Sequence, residues 1–306
     1  MKIAAAAYPL DALPSFEAYA EKLEHWVAGA AADLIVFPEY GAMELAAIVG
    51  ATGELQRSID AVTELVAQAD ALHAALAAKY GVHILAASAP VREAVAAEGG
   101  ADREEHGRAG VTGRRAVNRA RLFSPGGAVL AQDKQIMTRF ERELWGISPG
   151  APLAVAETAL GPIATLICYD AEFPLLARAV VEAGAEILLV PSCTDSHHGW
   201  SRVRVGAMAR ALENQCITVQ APTVGPAPWC PAVDENHGAA ALYAPPDAGF
   251  PADGVLAMGA ADRPGWARAE IDCAAIARVR SEGAQANHAH WGEQGARGPA
   301  RRVTLR

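Results

Sequence analysis

The sequence predicts an α/β protein built as a single domain, and three observations carry that expectation. Short apolar runs of strand length, at residues 34–37, 82–87 and 185–192, alternate with longer stretches whose apolar positions recur at helical spacing. Glycines stand where the helical patterns stop, Gly81 after one and Gly184 after another. No low-complexity linker, internal repeat or abrupt change of composition divides the chain.

Composition limits the function before any motif is read. The chain has 306 residues, 52% of them hydrophobic, which is enough to bury a large core. Its formal charge of −9 argues against a general binder of nucleic acid or anionic membranes. No apolar run reaches the roughly 18 residues of a membrane span, and the short apolar start ends at Pro9, which reads as a first strand rather than a leader. Five cysteines, Cys168, Cys193, Cys216, Cys230 and Cys273, show neither zinc spacing nor an even disulfide set, and they fit a reducing cytoplasm.

In order, residues 2–7 read as the first strand and 16–30 as an amphipathic helix. Residues 34–37 form a second strand that ends at Pro38-Glu39. Residues 57–80 form a long helix, with Ile59, Val62, Leu65, Val66, Leu72 and Leu76 on its apolar face, and 82–87 a third strand. Residues 98–115 lack any apolar period and read as an exposed insertion. Its arginines alternate with acids and have no aromatic neighbours, which favours a solvated loop over a nucleic-acid contact.

Residues 117–123 and 128–133 flank Ser124-Pro125-Gly126-Gly127 as a hairpin that delivers Lys134 at its end. The polar, aromatic stretch 137–146 reads as an ordered loop over a cleft. A second hairpin, 153–155 with 160–167, leads into Cys168. A helix from Leu175 follows, then the strand 185–192, a loop at 193–200, a helix at 202–214, and strands at 217–221, 239–243 and 267–271. A short helix spans 274–280. The domain is placed at 1–280, with 281–306 as an irregular tail.

Glu39, Lys134 and Cys168 all stand at strand ends, where loops gather on one side of a sheet. Cys168 on its own also reads as a buried structural thiol, and Glu39 as a solvated loop residue. Together a carboxylate, an ammonium and a thiol make a coherent catalyst. The ammonium favours the nucleophilic thiolate, the carboxylate carries the proton from thiol to leaving group, and the ammonium with a backbone N–H holds a tetrahedral oxyanion.

Phe37-Pro38-Glu39, Asp133-Lys134 with Thr138-Arg139-Phe140-Glu141-Arg142 behind it, and Cys168-Tyr169-Asp170 with Phe173-Pro174 resemble the three signature regions of the nitrilase, or carbon–nitrogen hydrolase, superfamily, in the same order. Asn118, Pro125-Gly126, 184–187 with Pro191-Ser192, and 209–214 resemble its supporting segments, so the likeness covers about residues 2–272. The resemblance implies a nitrilase-like α-β-β-α sandwich that pairs into a homodimer or larger homo-oligomer. It implies Glu39 as general base and acid, Lys134 as oxyanion donor and Cys168 as nucleophile, through a thioester and without a cofactor. It also implies a second, substrate-positioning glutamate, for which Glu141 matches and Glu143 is the alternative, and an oxyanion contact from the Tyr169 N–H.

Tyr169-Asp170 after the cysteine is closer to the amidase branches than the Trp-Glu of nitrilases proper. Those branches often carry Arg before Phe-Pro, where this chain has Glu172, so preference for dicarboxylic monoamides does not carry over. Glu172 could favour a neutral or cationic substrate, or simply face a salt bridge. The resulting expectation is a hydrolase of the C–N bond of a small amide, with a nitrilase, an acyltransferase or a non-enzymatic binding protein as alternatives.

Of His197, His198, His237, His288 and His290, the pairs lie adjacent or two apart in loops, with no HExxH frame, so no metal is assigned. Cys193 sits in a loop expected to approach the cleft and is a candidate substrate contact. Trp145, Trp200 and Trp229 read as pocket walls or as packing.

Overall fold

The computed structural model describes residues 1–94 and 114–305. The 98–115 insertion lies outside the described residues except for Arg114 and Arg115, which open a strand.

The elements run in chain order β1 (Lys2–Pro9), α1 (Phe16–Ala30), β2 (Leu34–Val36), α2 (Glu44–Ile48), α3 (Leu55–Tyr80), β3 (His83–Leu85), β4 (Ala89–Ala94), β5 (Arg114–Phe123) and β6 (Val129–Asp133). Then come β7 (Val155–Thr158), β8 (Gly161–Thr165), α4 (Pro174–Glu182), β9 (Ile187–Ser192), α5 (His197–Asn214), β10 (Ile217–Val224), β11 (Ala241–Tyr243), β12 (Val255–Met258), β13 (Gly265–Glu270), α6 (Cys273–Glu282) and α7 (Asn287–His290).

The strands form two sheets joined at a corner. In the first, β1, β2 and β3 are parallel, with β13 antiparallel on β1 and the β4–β5–β6 ribbon on the far side of β3. In the second, β8, β9 and β10 are parallel, with β7 and the β11–β12 pair antiparallel at the flanks. The corner is the short parallel contact of β1 with β10 at Tyr8–Thr223 and Pro9–Val224.

The period-2 geometry of a strand explains the layering. On β1, Ile3, Ala5 and Ala7 join Leu34, Val36 and Leu122 in one core that also contains Leu188, Val219 and Leu242 of the second sheet. The alternate residues Ala4, Ala6 and Tyr8 join Tyr19, Leu23 and Val27 of α1 and Ile59, Val62 and Leu76 of α3. The second sheet is covered by α4 and α5 through Ala177, Val180, Val203, Ala207 and Ala211. The result is the α-β-β-α sandwich expected. Its parallel strands are buried on both faces, which is why they read as continuous apolar runs rather than alternating ones.

Local chemistry sets the helix ends. Ser15 caps α1 by accepting the Ala18 N–H at 3.3 Å, and Gly81 ends α3 with φ of +66°.

Four readings change. Helix α2 and strands β4 and β12, each six residues or shorter, carry too few periods to be seen locally. The 137–146 segment is a core element as well as a loop. Glu141–Trp145 is a π-helical turn, and Met137, Glu141 and Trp145 are buried. Trp145 packs on Tyr40 with ring centroids 4.6 Å apart, so it is packing rather than an open wall. The tail is partly ordered: α7 and the 3₁₀ turn Trp291–Arg297 continue it, and it docks through the Arg178 guanidinium over Trp291 and the Gln215 side chain, which donates to Gln285 O at 2.9 Å.

Candidate active site

Four of the expected residues emerge from carboxyl ends of strands. Glu39 lies three residues past β2, Lys134 directly past β6, Cys168 three residues past β8 and Cys193 directly past β9. Each turn is pinned. The Lys134 N–H donates to Asn118 O on β5 at 2.9 Å. The Ser88 N–H donates to Pro38 O at 3.0 Å, and the Ser88 hydroxyl accepts the Tyr40 N–H at 2.9 Å. Cys168 and Tyr40 both adopt left-handed backbone angles, with φ of +51° and +53°. In non-glycine residues such angles cost on the order of 1–3 kcal/mol and are retained where the surroundings impose them.

Lys134 is the centre of the cluster. Its buried Nζ donates to Glu39 Oε1 and Glu141 Oε2, both at 2.7 Å. Glu39 Oε1 also accepts from Asn118 Nδ2 at 2.9 Å, and Glu39 Oε2 accepts the Cys193 N–H at 3.0 Å. Glu141 takes the Tyr40 hydroxyl at 2.7 Å on Oε1 and the Thr138 N–H and hydroxyl at 2.8 and 2.9 Å on Oε2. The buried nucleophile candidate Cys168 reaches the same loop, its Sγ lying 3.9 Å from Cys193 O.

The choice between the two glutamates follows from this geometry. Glu141 is buried beside Lys134, whereas Glu143 points outward and pairs with the exposed Arg139 at 2.9 Å. Spacing along the chain could not separate them, because a π-helical turn, not a regular helix, decides which side chain faces in.

The electrostatics add the effect of burial to the charge pairing read from the sequence. Burial pushes the Cys168 thiol well above its ordinary pKa, and the Glu39 carboxylate pushes it further. The Lys134 ammonium pulls the other way without overcoming them. The ammonium thus favours the thiolate as the sequence suggests, and burial opposes it. Burial also raises Glu39, against the opposing pull of Lys134. Glu141 behaves differently. Burial raises it too, but Lys134 and the hydrogen bonds from Tyr40 and Thr138 outweigh that and hold it below the usual carboxylate range. Lys134 loses charge stability to burial, and the two carboxylates more than restore it.

Asp170 is a positioning residue whose role the chain pattern did not reveal. Fully buried, its carboxylate accepts the N–H groups of Gln135 at 3.1 Å, Ile136 at 2.8 Å and Ile167 at 3.3 Å. It therefore ties the segment after Lys134 to the turn that carries Cys168. Burial raises its pKa to about 7. The two remaining candidates are placed differently. The Tyr169 ring packs edge-on against Phe173 at 4.9 Å and lies under Arg202. The Cys193 thiol lies 3.4 Å from Asn236 Oδ1, and burial raises its pKa to about 12. Glu172 meets a salt bridge, accepting from Arg202 Nη2 at 2.7 Å.

Comparison with known proteins supplies the family context. A model of the carbon-nitrogen hydrolase family matches residues 2–245. The probable hydrolase YhcX of Bacillus subtilis is 34% identical over 259 residues, covering 84% of this chain and 47% of that protein. The match thus spans about half the length of that relative. A deaminated glutathione amidase of Synechocystis is 28% identical over 179 residues, 55% of this chain and 62% of that protein. Among solved structures, an amidase from Nesterenkonia of the nitrilase superfamily aligns with a TM-score of 0.64 at 22% identity, covering 95% of this chain and 97% of that one. A CN-hydrolase superfamily protein from Xanthomonas campestris aligns with a TM-score of 0.68 at 18% identity over 99% of both chains. At these identities the structures speak to fold.

Proposed function

We propose that this chain, which belongs to the carbon–nitrogen hydrolase family, is an amidase-type hydrolase that cleaves the C–N bond of a small amide through a thioester on Cys168. The observation that carries the reading is the buried Lys134 ammonium held between Glu39 and Glu141 at 2.7 Å each, on the loop system that bears the Cys168 thiol.

The chemistry follows from the protonation states. Glu39, raised by burial above the ordinary carboxylate range, is suited to take and return a proton. It accepts the Cys168 proton as the sulfur attacks the amide carbonyl carbon. The carbonyl electron pair moves to oxygen, where Lys134 and the Tyr169 N–H stabilise it. Collapse breaks the C–N bond, Glu39 protonates the leaving nitrogen, and ammonia or an amine departs. A water then loses a proton to Glu39 and attacks the thioester. The C–S bond breaks, the acid leaves, and the thiol recovers its proton. Glu141 holds Lys134 in place and faces the substrate. These residues supply the whole reaction, so the proposal needs no cofactor.

Neutral small amides are the proposed substrate class, because Arg202 offsets the charge of Glu172. The Synechocystis protein, an amidase by name, supports an amide substrate. A second copy of the chain is the proposed partner, supported by the exposed apolar side chains Leu175, Val205 and Leu212 on α4 and α5. A cytoplasmic setting is supported by five free cysteines. Among the described residues, no helix is long and apolar enough to cross a membrane. Residues 1–280 are proposed as the hydrolase domain.

The test is ammonia release from a panel of amides, ureas and nitriles, run beside Cys168→Ala. Release from amides that disappears in the variant is expected. Turnover of nitriles alone, or turnover retained in the variant, would overturn the proposal.

A further inference from the structure

The fold brings together residues that chain spacing kept apart. His197 opens α5, His237 lies in the turn before β11, and Asp262 lies in the turn before β13. Asp262 Oδ2 is 3.1 Å from His197 Nε2 and 3.4 Å from His237 Nδ1, and the three atoms all lie within 4.8 Å of one another. The histidine rings are 4.7 Å apart and tilted by 45°. These histidines lack an HExxH frame in the sequence, and Asp262 joins two of them only through the fold.

We propose that His197, His237 and Asp262 bind a divalent transition-metal ion of the zinc type, at a site separate from the Cys168 machinery. The geometry suits such an ion. Four-coordinate Zn²⁺ with bonds of about 2.0–2.1 Å places neighbouring ligand atoms about 3.3 Å apart, and both separations involving Asp262 fall within 0.2 Å of that. Two imidazoles and one carboxylate match a borderline cation rather than Mg²⁺ or Ca²⁺, which prefer all-oxygen sets. The side chains are 57%, 34% and 34% exposed, so an ion can enter and keep a water as its fourth ligand.

The carboxylate ligand is held from behind, and the backbone that carries His237 is anchored. The other oxygen of Asp262, Oδ1, accepts the Gly238 N–H at 2.9 Å, which aims Oδ2 at the histidines. The His237 N–H donates to Thr194 O, and the Thr194 hydroxyl donates to His237 O, both at 2.8 Å. Gly238 is packed so closely that a Cβ there would meet Pro222 at 2.8 Å and Trp200 at 3.0 Å. Asp262 holds a left-handed backbone with φ of +56°.

The consequence reaches the active site through Thr194. Its neighbour Cys193 donates its N–H to Glu39 and lies beside Asn236, which precedes His237. An ion bridging His197 to His237 and Asp262 ties the start of α5 to both turns and braces the loop that holds Glu39. The inference does not depend on which amide, if any, the enzyme cleaves.

The test uses the chelator-treated full chain. Titration calorimetry with Zn²⁺ is expected to show one equivalent bound, with a raised thermal midpoint at saturation and no response to Mg²⁺. Co²⁺ is expected to give the visible bands of a four-coordinate nitrogen–oxygen site without a thiolate charge-transfer band. That spectrum separates this site from binding at Cys168, Cys193 or the exposed Cys273. His197→Gln and Asp262→Asn should each weaken Zn²⁺ by at least about tenfold. The first is at an exposed helix start, and the second keeps an acceptor for Gly238 and a residue tolerant of left-handed angles, so circular dichroism should match the parent. No Zn²⁺ binding, unchanged affinity in both folded variants, binding of Mg²⁺ at the same site, or a thiolate band with Co²⁺ would each overturn the proposal.

Discussion

Replacing Lys134 by Met tests the reading most sharply, because it removes charge with little change of volume. Lys134 is 1% exposed, and the methionine side chain fills similar space, so the effect is electrostatic rather than a cavity. Without the ammonium, the Glu39 and Glu141 carboxylates, both buried and both bonded to Lys134 Nζ in the parent, face each other uncompensated. Removing one partner of a buried ion pair costs about 3–5 kcal/mol.

The pair reduces that cost by binding a proton, which raises its pKa in the folded state. A raised folded-state pKa contributes stability that is present at low pH and lost as pH rises. Each extra proton held by the folded state gives a slope of about 1.4 kcal/mol per pH unit. Between pH 5 and pH 8 the variant should therefore lose up to about 4 kcal/mol relative to the parent, read by urea unfolding at several pH values. Adding Glu141→Gln to Lys134→Met removes one of the two negative charges and should recover stability and flatten the pH dependence. In activity assays, losing an oxyanion donor should lower kcat about 100- to 1000-fold with little change in KM. A variant as stable as the parent at pH 8, with no recovery in the double variant, would refute the buried charge cluster. A change confined to KM would refute the transition-state role.

Other expectations follow from the same geometry. Cys168→Ala should abolish turnover while leaving the unfolding midpoint close to the parent's, and a collapsed fold would show that the residue is mainly structural. The acid limb of kcat/KM should report Glu39 and lie above the ordinary glutamate value of about 4.3, because burial raises this group. A limb at or below that value would remove Glu39 as the base. Glu141→Gln should lower kcat strongly, while Glu143→Gln, at an exposed pair, should change it little. Equal effects would undo the assignment between them. Asp170→Ala leaves the Gln135, Ile136 and Ile167 N–H groups without their carboxylate and should cost about 2–5 kcal/mol in denaturant unfolding. A cost below about 0.5 kcal/mol would mean that other acceptors replace it.

The α/β layering, most of the longer helices and strands, and the Glu39, Lys134, Cys168 order were legible in the chain. Hydrophobic period, cap residues and turn residues are properties of near neighbours, and the motifs are contiguous. Gly81 ended α3 where the glycine signal placed it, and the buried strand at 185–192 was visible because parallel strands are apolar on both faces. Short elements such as α2 and β12 escaped, since five or four residues carry no readable period.

Tertiary structure alone decided the rest. The Cys193 N–H that holds Glu39 is 154 residues away, and the Asn118 amide on the same carboxylate is 79 away. The pairing of His197 and His237 with Asp262 joins the start of α5 to two turns. The direction in which the Cys168 thiol is pushed turned on how completely the site is buried. The sequence offers an ammonium and a carboxylate as partners for the thiol, but not the burial that pushes its pKa up. Contacts and desolvation depend on distances in space, and a linear pattern encodes these only through the fold it produces.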